Sequence, residues 1–563
     1  MQGGTWGIVS ALRRVQDALR SWSKTNFGSV TAELEKLRAK LEAAKGNPAV
    51  GQMEIRLITD KMDELLYREE MMWLQRSRIA WLKEGDRNTS YFHRQAVWRA
   101  RKNKIKKLRD SSGDWCDSVP DLKRMATEFF QNLFLADPGV VPYELLDLVS
   151  PKVTTEMNQL LCKEFSDQEI SDALFQMGPL KAPGPDGFPA RFFQRHWDTL
   201  KEDVTCAVKR FFTDGVMPPG INDTAIVLLP KGDNPESLKD FRPISLCNVI
   251  YKVISKCLVN RLRPVLGDIV APEQSAFVPG RMITDNAIIA FECIHAIRRG
   301  TGDKEEFCAY KLDLSKAYDR VDWGFLKSVM EKLGFHSQWV QWVMACVTTV
   351  RYTVRFNGVP LVPFAPSRGL RQGDPLSPYL FLLVADGLSI LLKHQQRLGR
   401  LEGIKVCRRA PSISHLLFAD DSLLFFRANA DQARIVKEVL AMFEKNTGQL
   451  LSPSKCSLFV REGRDMAELQ EVKNILGVER LDFEEKYLGL PTPTGRMKRG
   501  VFQPLEARFF KRMAAWKEKD LSAAGKEVLI KSVAQALPNY LLSVFKLTGG
   551  LCEDLMKAIR AYW

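Results

Sequence analysis

The sequence has no CxxC pair among its eleven cysteines, scattered from Cys116 to Cys552, and only six isolated histidines. A zinc site needs such ligands at close spacing and a small secreted scaffold needs dense cysteine pairs, so neither is indicated and reduced thiols are expected. A long apolar run is missing too. The longest, "YLFLLVADGLSILL" (379–392), is too short to span a bilayer and is interrupted by Asp386, so no membrane passage is expected. The start, "MQGGTWGIVSALRRVQDALR", has no apolar core behind a basic head, which excludes a secretory signal. The expected setting is therefore intracellular, nucleus and/or cytoplasm, not secreted. The sequence holds no internal repeat and no low-complexity tract.

What is present is length and positive charge. At 563 residues and 45% hydrophobic content, two to four cored units are expected. Eighty-two Lys plus Arg against 67 Asp plus Glu leave a net charge of +15, which suits a polyanionic partner, nucleic acid first. Residues 1 to about 75 carry helical periodicity, with Leu34, Leu37 and Leu41 on one face. Beyond them Arg99, Arg101, Lys102, Lys104, Lys106, Lys107 and Arg109 follow one another with no acid between, near Tyr91, Phe92 and Trp98. Such a run is either a solvated helix face or an arm that grips a nucleic-acid backbone; the interleaved aromatics favour the arm.

The chemistry is concentrated later. "HLLFADDSLLFF" (415–426) sets Asp420 and Asp421 between two short apolar runs that read as strands, which puts the pair at a hairpin turn. A turn alone favours Asp. Two like charges at the tip of a buried hairpin, however, repel each other and call for a cation. "FCAYKLDL" reads as a strand with Asp313 at its end, running directly into an amphipathic helix. A sheet can bring acids from two such places onto one ridge, where two divalent ions about 3.5–4 Å apart could activate an attacking oxygen and stabilise a leaving one. "GPLKAPGPDGFPARFF" is a shaped loop entering a helix, and "SRGLRQGDPLSPYLFLLVADGL" a Gly-rich turn before a long apolar helix. Lys231 at a strand end and Arg242 beside Pro243 could grip phosphates, or merely decorate the surface. Lys455 is expected on a short strand, and "KYLGLP" as another strand.

"KLDLSKAYDRVDW", "RGLRQGDPLSP" and "FADD", in that order, resemble the palm motifs of reverse transcriptases. "KAPGPDG", "FRPISL", "QSAFVPGR", "GQLLSPSK" and "YLGLP" resemble the non-LTR (LINE-type) retrotransposon enzymes, and "EGDRNTSYFH" resembles the linker of plant elements. The resemblance implies an α+β right hand of fingers, palm and thumb, its antiparallel palm sheet backed by helices, after a mostly helical N-terminal region. Residues 1–120 would be a helical, basic linker or arm, 121–177 a helical lead-in, 178–490 fingers and palm, and 491–563 a thumb-like region cut short.

By the same resemblance Asp313, Asp420 and Asp421 match the metal-binding triad, with the Leu314 carbonyl as a further ligand. Lys231 and Arg242 match contacts to the incoming triphosphate, and Gln372 and Gly373 match the loop near nucleotide and template. Tyr318 matches the residue under the sugar. Lys455 matches a lysine that protonates departing pyrophosphate, or is a surface cation. Ser452 stands where members usually carry Asn. The implied cofactor is two Mg²⁺ ions, with Mn²⁺ as a substitute; the partners are an RNA template, a DNA primer and dNTPs. The chain resembles a piece of an element's polyprotein, so an endonuclease is expected from another protein. Two other functions share the hand: a catalytically silent, retroelement-derived nucleic-acid-binding protein, and an intron-maturase-like RNA-binding factor.

Overall fold

The computed structural model describes residues 7–26, 30–47, 50–77, 97–99, 101–110, 112–136, 143–300, 306–461, 466–480, 486–493, 499–517 and 522–563. The chain divides into two compact units, Met1–Lys106 with Lys498–Trp563, and Lys107–Met497.

The first unit is helical. Its apolar face of Leu34, Leu37 and Leu41 lies on the helix Val30–Lys45, which packs against Gln52–Ser77, and Leu34 is buried. Helix Gln503–Lys517 packs on Gly549–Tyr562, with Trp516 and Tyr562 ring centroids 5.7 Å apart. Among the described residues no helix is long and apolar enough to cross a membrane.

The second unit holds the sheets. In chain order the strands are β1 (Leu108–Arg109), β2 (Trp115–Cys116), β3 (Asp223–Pro230), β4 (Phe241–Cys247), β5 (Phe307–Leu312), β6 (Arg351–Phe356), β7 (Val359–Pro360), β8 (His415–Phe418), β9 (Asp421–Arg427), β10 (Ser457–Phe459), β11 (Lys486–Tyr487) and β12 (Leu490–Pro491). One four-stranded sheet has the order β10-β5-β9-β8, antiparallel throughout. Its central strands β5 and β9 are buried along nearly their whole length, as their near-continuous apolar sequences require. Behind it lie the helices Trp323–Leu333, Ser377–Arg397 and Ala430–Thr447, which pack on one another. A second sheet, β4-β3-β6-β7, pairs β3 with β6 in parallel and the rest antiparallel. The α+β class and the helix-backed antiparallel sheet agree with the expected hand.

"FRPISL" forms strand β4, an edge strand, and an edge tolerates Pro243. Three local expectations need correction. "KYLGLP" is a tight hairpin, β11 to β12, turned by Leu488 (φ 49°) and Gly489 (φ 79°). The chain after Asp313 makes a short 3₁₀ turn, Tyr318–Arg320, before the helix Trp323–Leu333 begins. Asp322 fixes that start: its carboxylate accepts from Phe325 N–H at 2.7 Å and from the Tyr143 hydroxyl at 2.8 Å. Lys455 precedes β10, in the turn that leads into it.

Candidate active site

Antiparallel register assembles the acids. Leu312 of β5 pairs with Ser422 of β9, so the next residues outward, Asp313 and Asp421, come opposite each other. Asp420 sits one step further, in the turn, where Ala419 adopts φ 56°. The burial pattern of the hairpin, apolar on both flanks and exposed at Asp420 and Asp421, leaves the two acids at the tip. Asp420 is open to solvent. The surrounding protein raises its carboxyl above the ordinary carboxylate range, and the negative charge of Asp313 adds to this; Arg242 opposes it.

The fingers-side cations meet this ridge. Lys231 follows β3 and its N–H bonds the Asp240 carbonyl at 2.8 Å, while Arg242 of β4 pairs with Leu229 of β3. The Lys231 ammonium is pushed down first by surrounding protein and then by the positive charges of Lys455 and Arg242. Lys455 Nζ lies 3.6 Å from Asp313 Oδ1, both side chains partly exposed. Its turn closes through the backbone, with Ser452 N–H on the Asp313 carbonyl at 2.9 Å and Lys455 N–H on the Ser452 carbonyl at 2.9 Å. Serine at 452 therefore suffices for that turn. Ser315 N–H on the Leu450 carbonyl, at 2.7 Å, completes an antiparallel bridge around Leu314 and Leu451 that does not use the Leu314 carbonyl.

Tyr318 stacks on Phe381 of helix Ser377–Arg397, centroids 4.7 Å apart and planes within 17°. Burial, then the charge of Asp420, raises its phenol pKa. Gln372 and Gly373 dock on β4: Ser245 N–H donates to the Gln372 carbonyl at 2.8 Å. Gly373 has φ 110°, and a Cβ there would meet the Ser245 carbonyl at 3.0 Å, so glycine is required on both counts. Behind the loop Arg371 is buried with Asp374, N to O 3.2 Å.

Among the described residues no three His, Cys, Asp or Glu side chains are gathered closely enough to enclose a metal ion. The donors nevertheless suit a hard divalent cation. They are carboxylate oxygens beside a backbone carbonyl that the Leu314 bridge does not use, and the mutual repulsion of Asp313 and Asp420 is the kind a cation relieves.

The basic run crosses the division between the two units, with Arg99 half-buried and the rest exposed. Lys102 lies over Trp98 at 5.2 Å, and Lys107 and Arg109 over Trp115 at 4.1 and 4.8 Å. Arg109 also pairs with Glu236 at 2.9 Å. Tyr91, Phe92 and "EGDRNTSYFH" lie outside the described residues.

Residues 229–491, which span this whole ridge, match the reverse transcriptase (RNA-dependent DNA polymerase) family. The chain carries a reverse transcriptase domain. Its relatives include the Xenopus laevis transposon TX1 uncharacterized 149 kDa protein, 30% identical over 472 residues, which are 81% of this chain and 34% of that protein. The Drosophila melanogaster retrovirus-related Pol polyprotein from type-2 retrotransposable element R2DM is 28% identical over 378 residues, 64% of this chain and 34% of that protein. An uncharacterized mitochondrial protein of Arabidopsis thaliana is 59% identical over 66 residues, 12% of this chain and 54% of that protein. The chain thus spans about a third of the length of the first two. The reverse transcriptase resemblance, of the non-LTR kind, holds.

Three further residues adjoin the candidate site. Lys316, at φ 55°, donates from Nζ to the Phe241 carbonyl at 3.0 Å, and burial among Lys231 and Lys455 pulls its pKa down to about 8. Asp319 is buried with Oδ2 unbonded, and desolvation pushes its carboxyl up to about 7 against the pull of Lys316 and Lys231. Gln274 is fully buried and its Oε1 accepts from Ala419 N–H at 2.9 Å, bracing the turn that carries Asp420. The only sequence signal for the first two is their place inside "KLDLSKAYDRVDW". Gln274 opens "QSAFVPGR", but nothing in the sequence shows that it reaches residue 419.

Proposed function

We propose that this chain is an RNA-directed DNA polymerase of a LINE-type retroelement, extending a DNA primer on an RNA template with dNTPs. One observation carries the proposal: strand register sets Asp313 opposite Asp421, with Asp420 in the adjoining turn and Lys455 Nζ 3.6 Å from Asp313. Reverse transcriptases as a family work with divalent metal ions. Here Asp313, Asp420, Asp421 and the Leu314 carbonyl would hold two Mg²⁺, with Mn²⁺ as a substitute. Bound there, the ions would lower the pKa of the primer 3′-hydroxyl and neutralise the leaving pyrophosphate.

The protein's own part is positional. Lys231 and Arg242 hold the triphosphate, Gln372 and Gly373 shape the wall beside nucleotide and template, and Tyr318 lies beneath the sugar. The 3′-hydroxyl gives its proton to water as its oxygen bonds the α-phosphorus, the bond to the bridging oxygen breaks, and pyrophosphate departs with that electron pair and takes a proton from Lys455 Nζ, which water then reprotonates. The test is extension of a DNA primer on an RNA template by the purified chain with Mg²⁺, compared with the same mixture plus chelator. Tight binding of template–primer without extension would favour the silent binding protein instead.

Tyr318 gives a finer prediction. Its ring stacks on Phe381, and a ring beneath the sugar should exclude a 2′-hydroxyl. Tyr318→Ala is expected to lower the dGTP over GTP ratio of kcat/KM at least tenfold while template binding stays within twofold. An unchanged ratio would remove Tyr318 from the gate.

The basic run is proposed to supply affinity without sequence preference. Changing Lys104, Lys106 and Lys107 together to Gln should reduce the slope of log affinity against log salt by about two to three, at roughly 0.7–0.9 for each phosphate left unneutralised. A slope equal to that of the wild type would make the run a solvated face.

A further inference from the structure

The segment 271–281 is built to hold one aromatic ring in the open. Phe277 is 48% exposed and sits at φ 58°, a left-handed backbone that a bulky residue adopts only when its surroundings force it. Those surroundings are rigid. The Arg281 guanidinium donates to the carbonyls of Ala271 and Gln274 at 2.6 and 2.7 Å and to those of Gly267 and Val270 at 3.0 and 3.1 Å. Val278, the next residue, is buried. An exposed phenyl ring contributes little to the core, so the clamp and the strain serve something other than packing.

The place of the ring is decided by register. Gln274 bridges Leu417 of β8 in parallel, and Ser275 N–H donates to the Leu417 carbonyl at 3.0 Å. Gln274 Oε1 accepts from both Ala276 N–H (3.0 Å) and Ala419 N–H (2.9 Å), which makes residues 276 and 419 neighbours. Phe277 and Asp420, each the following residue, therefore leave from adjacent points of two braced loops. On its other side Phe277 meets Tyr379 at 6.2 Å, on the helix that also carries Phe381 beneath Tyr318. The ring thus stands on the loop next to the one that carries Asp420.

We propose that Phe277 is a packing platform for a nucleotide of the template–primer duplex next to its reacting end. The proposal rests on the polymerase function above. An aromatic face accepts any base or sugar, so the platform suits a duplex that moves past the site without regard to sequence. It complements the cations: they hold phosphate, and the ring holds the apolar face of the same strand.

The test uses the full chain and a template–primer carrying 2-aminopurine at each of the last few base pairs in turn. Phe277→Ala removes the ring, Phe277→Gly also relieves the left-handed backbone, and Phe277→Trp keeps an aromatic face. We expect both ring-less variants to bind template–primer at least tenfold more weakly and to lose a 2-aminopurine signal confined to one position. Phe277→Trp should restore both, and melting temperature should not fall in the glycine variant. Wild-type affinity and an unchanged fluorescence profile in Phe277→Ala overturn the platform. So does a loss that tracks melting temperature and is not rescued by Trp, or dependence on Phe277 of self-association or protein binding rather than of duplex binding. If the wild type shows the Phe277-dependent signal yet extends primers no better than Asp420→Asn, the platform stands and the polymerase function fails.

Discussion

Replacing Asp420 by Asn is expected to abolish Mg²⁺-dependent primer extension, by about a thousandfold or more, or roughly 4 kcal/mol of transition-state stabilisation. The magnitude follows from its position. Asp420 stands at the hairpin turn, where the surrounding protein already disfavours its charge and Asp313 adds repulsion. A neutral amide relieves that repulsion, so the variant should fold as well as or better than the wild type. Loss of activity with unimpaired melting would separate a catalytic role from a structural one. Single-turnover extension and thermal melting on the same preparations check this, and residual activity above a tenth of wild type would count against the assignment.

The largest expected effect on stability lies at Arg371. Its guanidinium is buried, donates to Asn222 Oδ1, the Tyr251 hydroxyl and the Cys346 carbonyl (2.8 Å), and faces Asp374 at 3.2 Å. Tyr251 in turn donates to Asp374 Oδ2 at 2.7 Å. Arg371→Met leaves a buried carboxylate without its counter-charge and should cost about 3–5 kcal/mol. The double variant Arg371→Met with Asp374→Leu should recover much of that loss. Denaturant midpoints for the two variants check the sign; a double variant as unstable as the single would show that the pair acts through its hydrogen bonds and not its charge. Because Arg371 adjoins Gln372, either variant is also expected to raise KM for the nucleotide.

Much of the site was legible in the residues because short-range rules govern it. Apolar runs flanking two acids specify a hairpin, and a strand before Asp313 specifies an acid at a sheet end; both form as expected. "FRPISL" was illegible as a strand because proline speaks against a ladder unless the strand is known to be at an edge, and edge position is a property of the whole sheet. "KYLGLP" needed a non-glycine residue at positive φ, Leu488, which no propensity announces. Gln274 and Arg371 escaped notice for a different reason. Their roles lie in partners 145 and 149 residues away, Ala419 and Asn222, and single-sequence patterns carry no information about such pairs.

The order of the central sheet also bears on how the chain is made. β5 is flanked by β9 and β10, both synthesised well over a hundred residues after it. At ~5–20 residues per second, "FCAYKL" would leave the ribosome on the order of ten to thirty seconds before its last neighbour exists. Until β9 follows, an apolar strand has two open edges, and until β10 follows it has one, each a template for pairing with another nascent chain. A message broken anywhere before the codons for 457–459 would therefore yield a protein with a permanently open edge, and its expected fate is aggregation or degradation rather than partial activity.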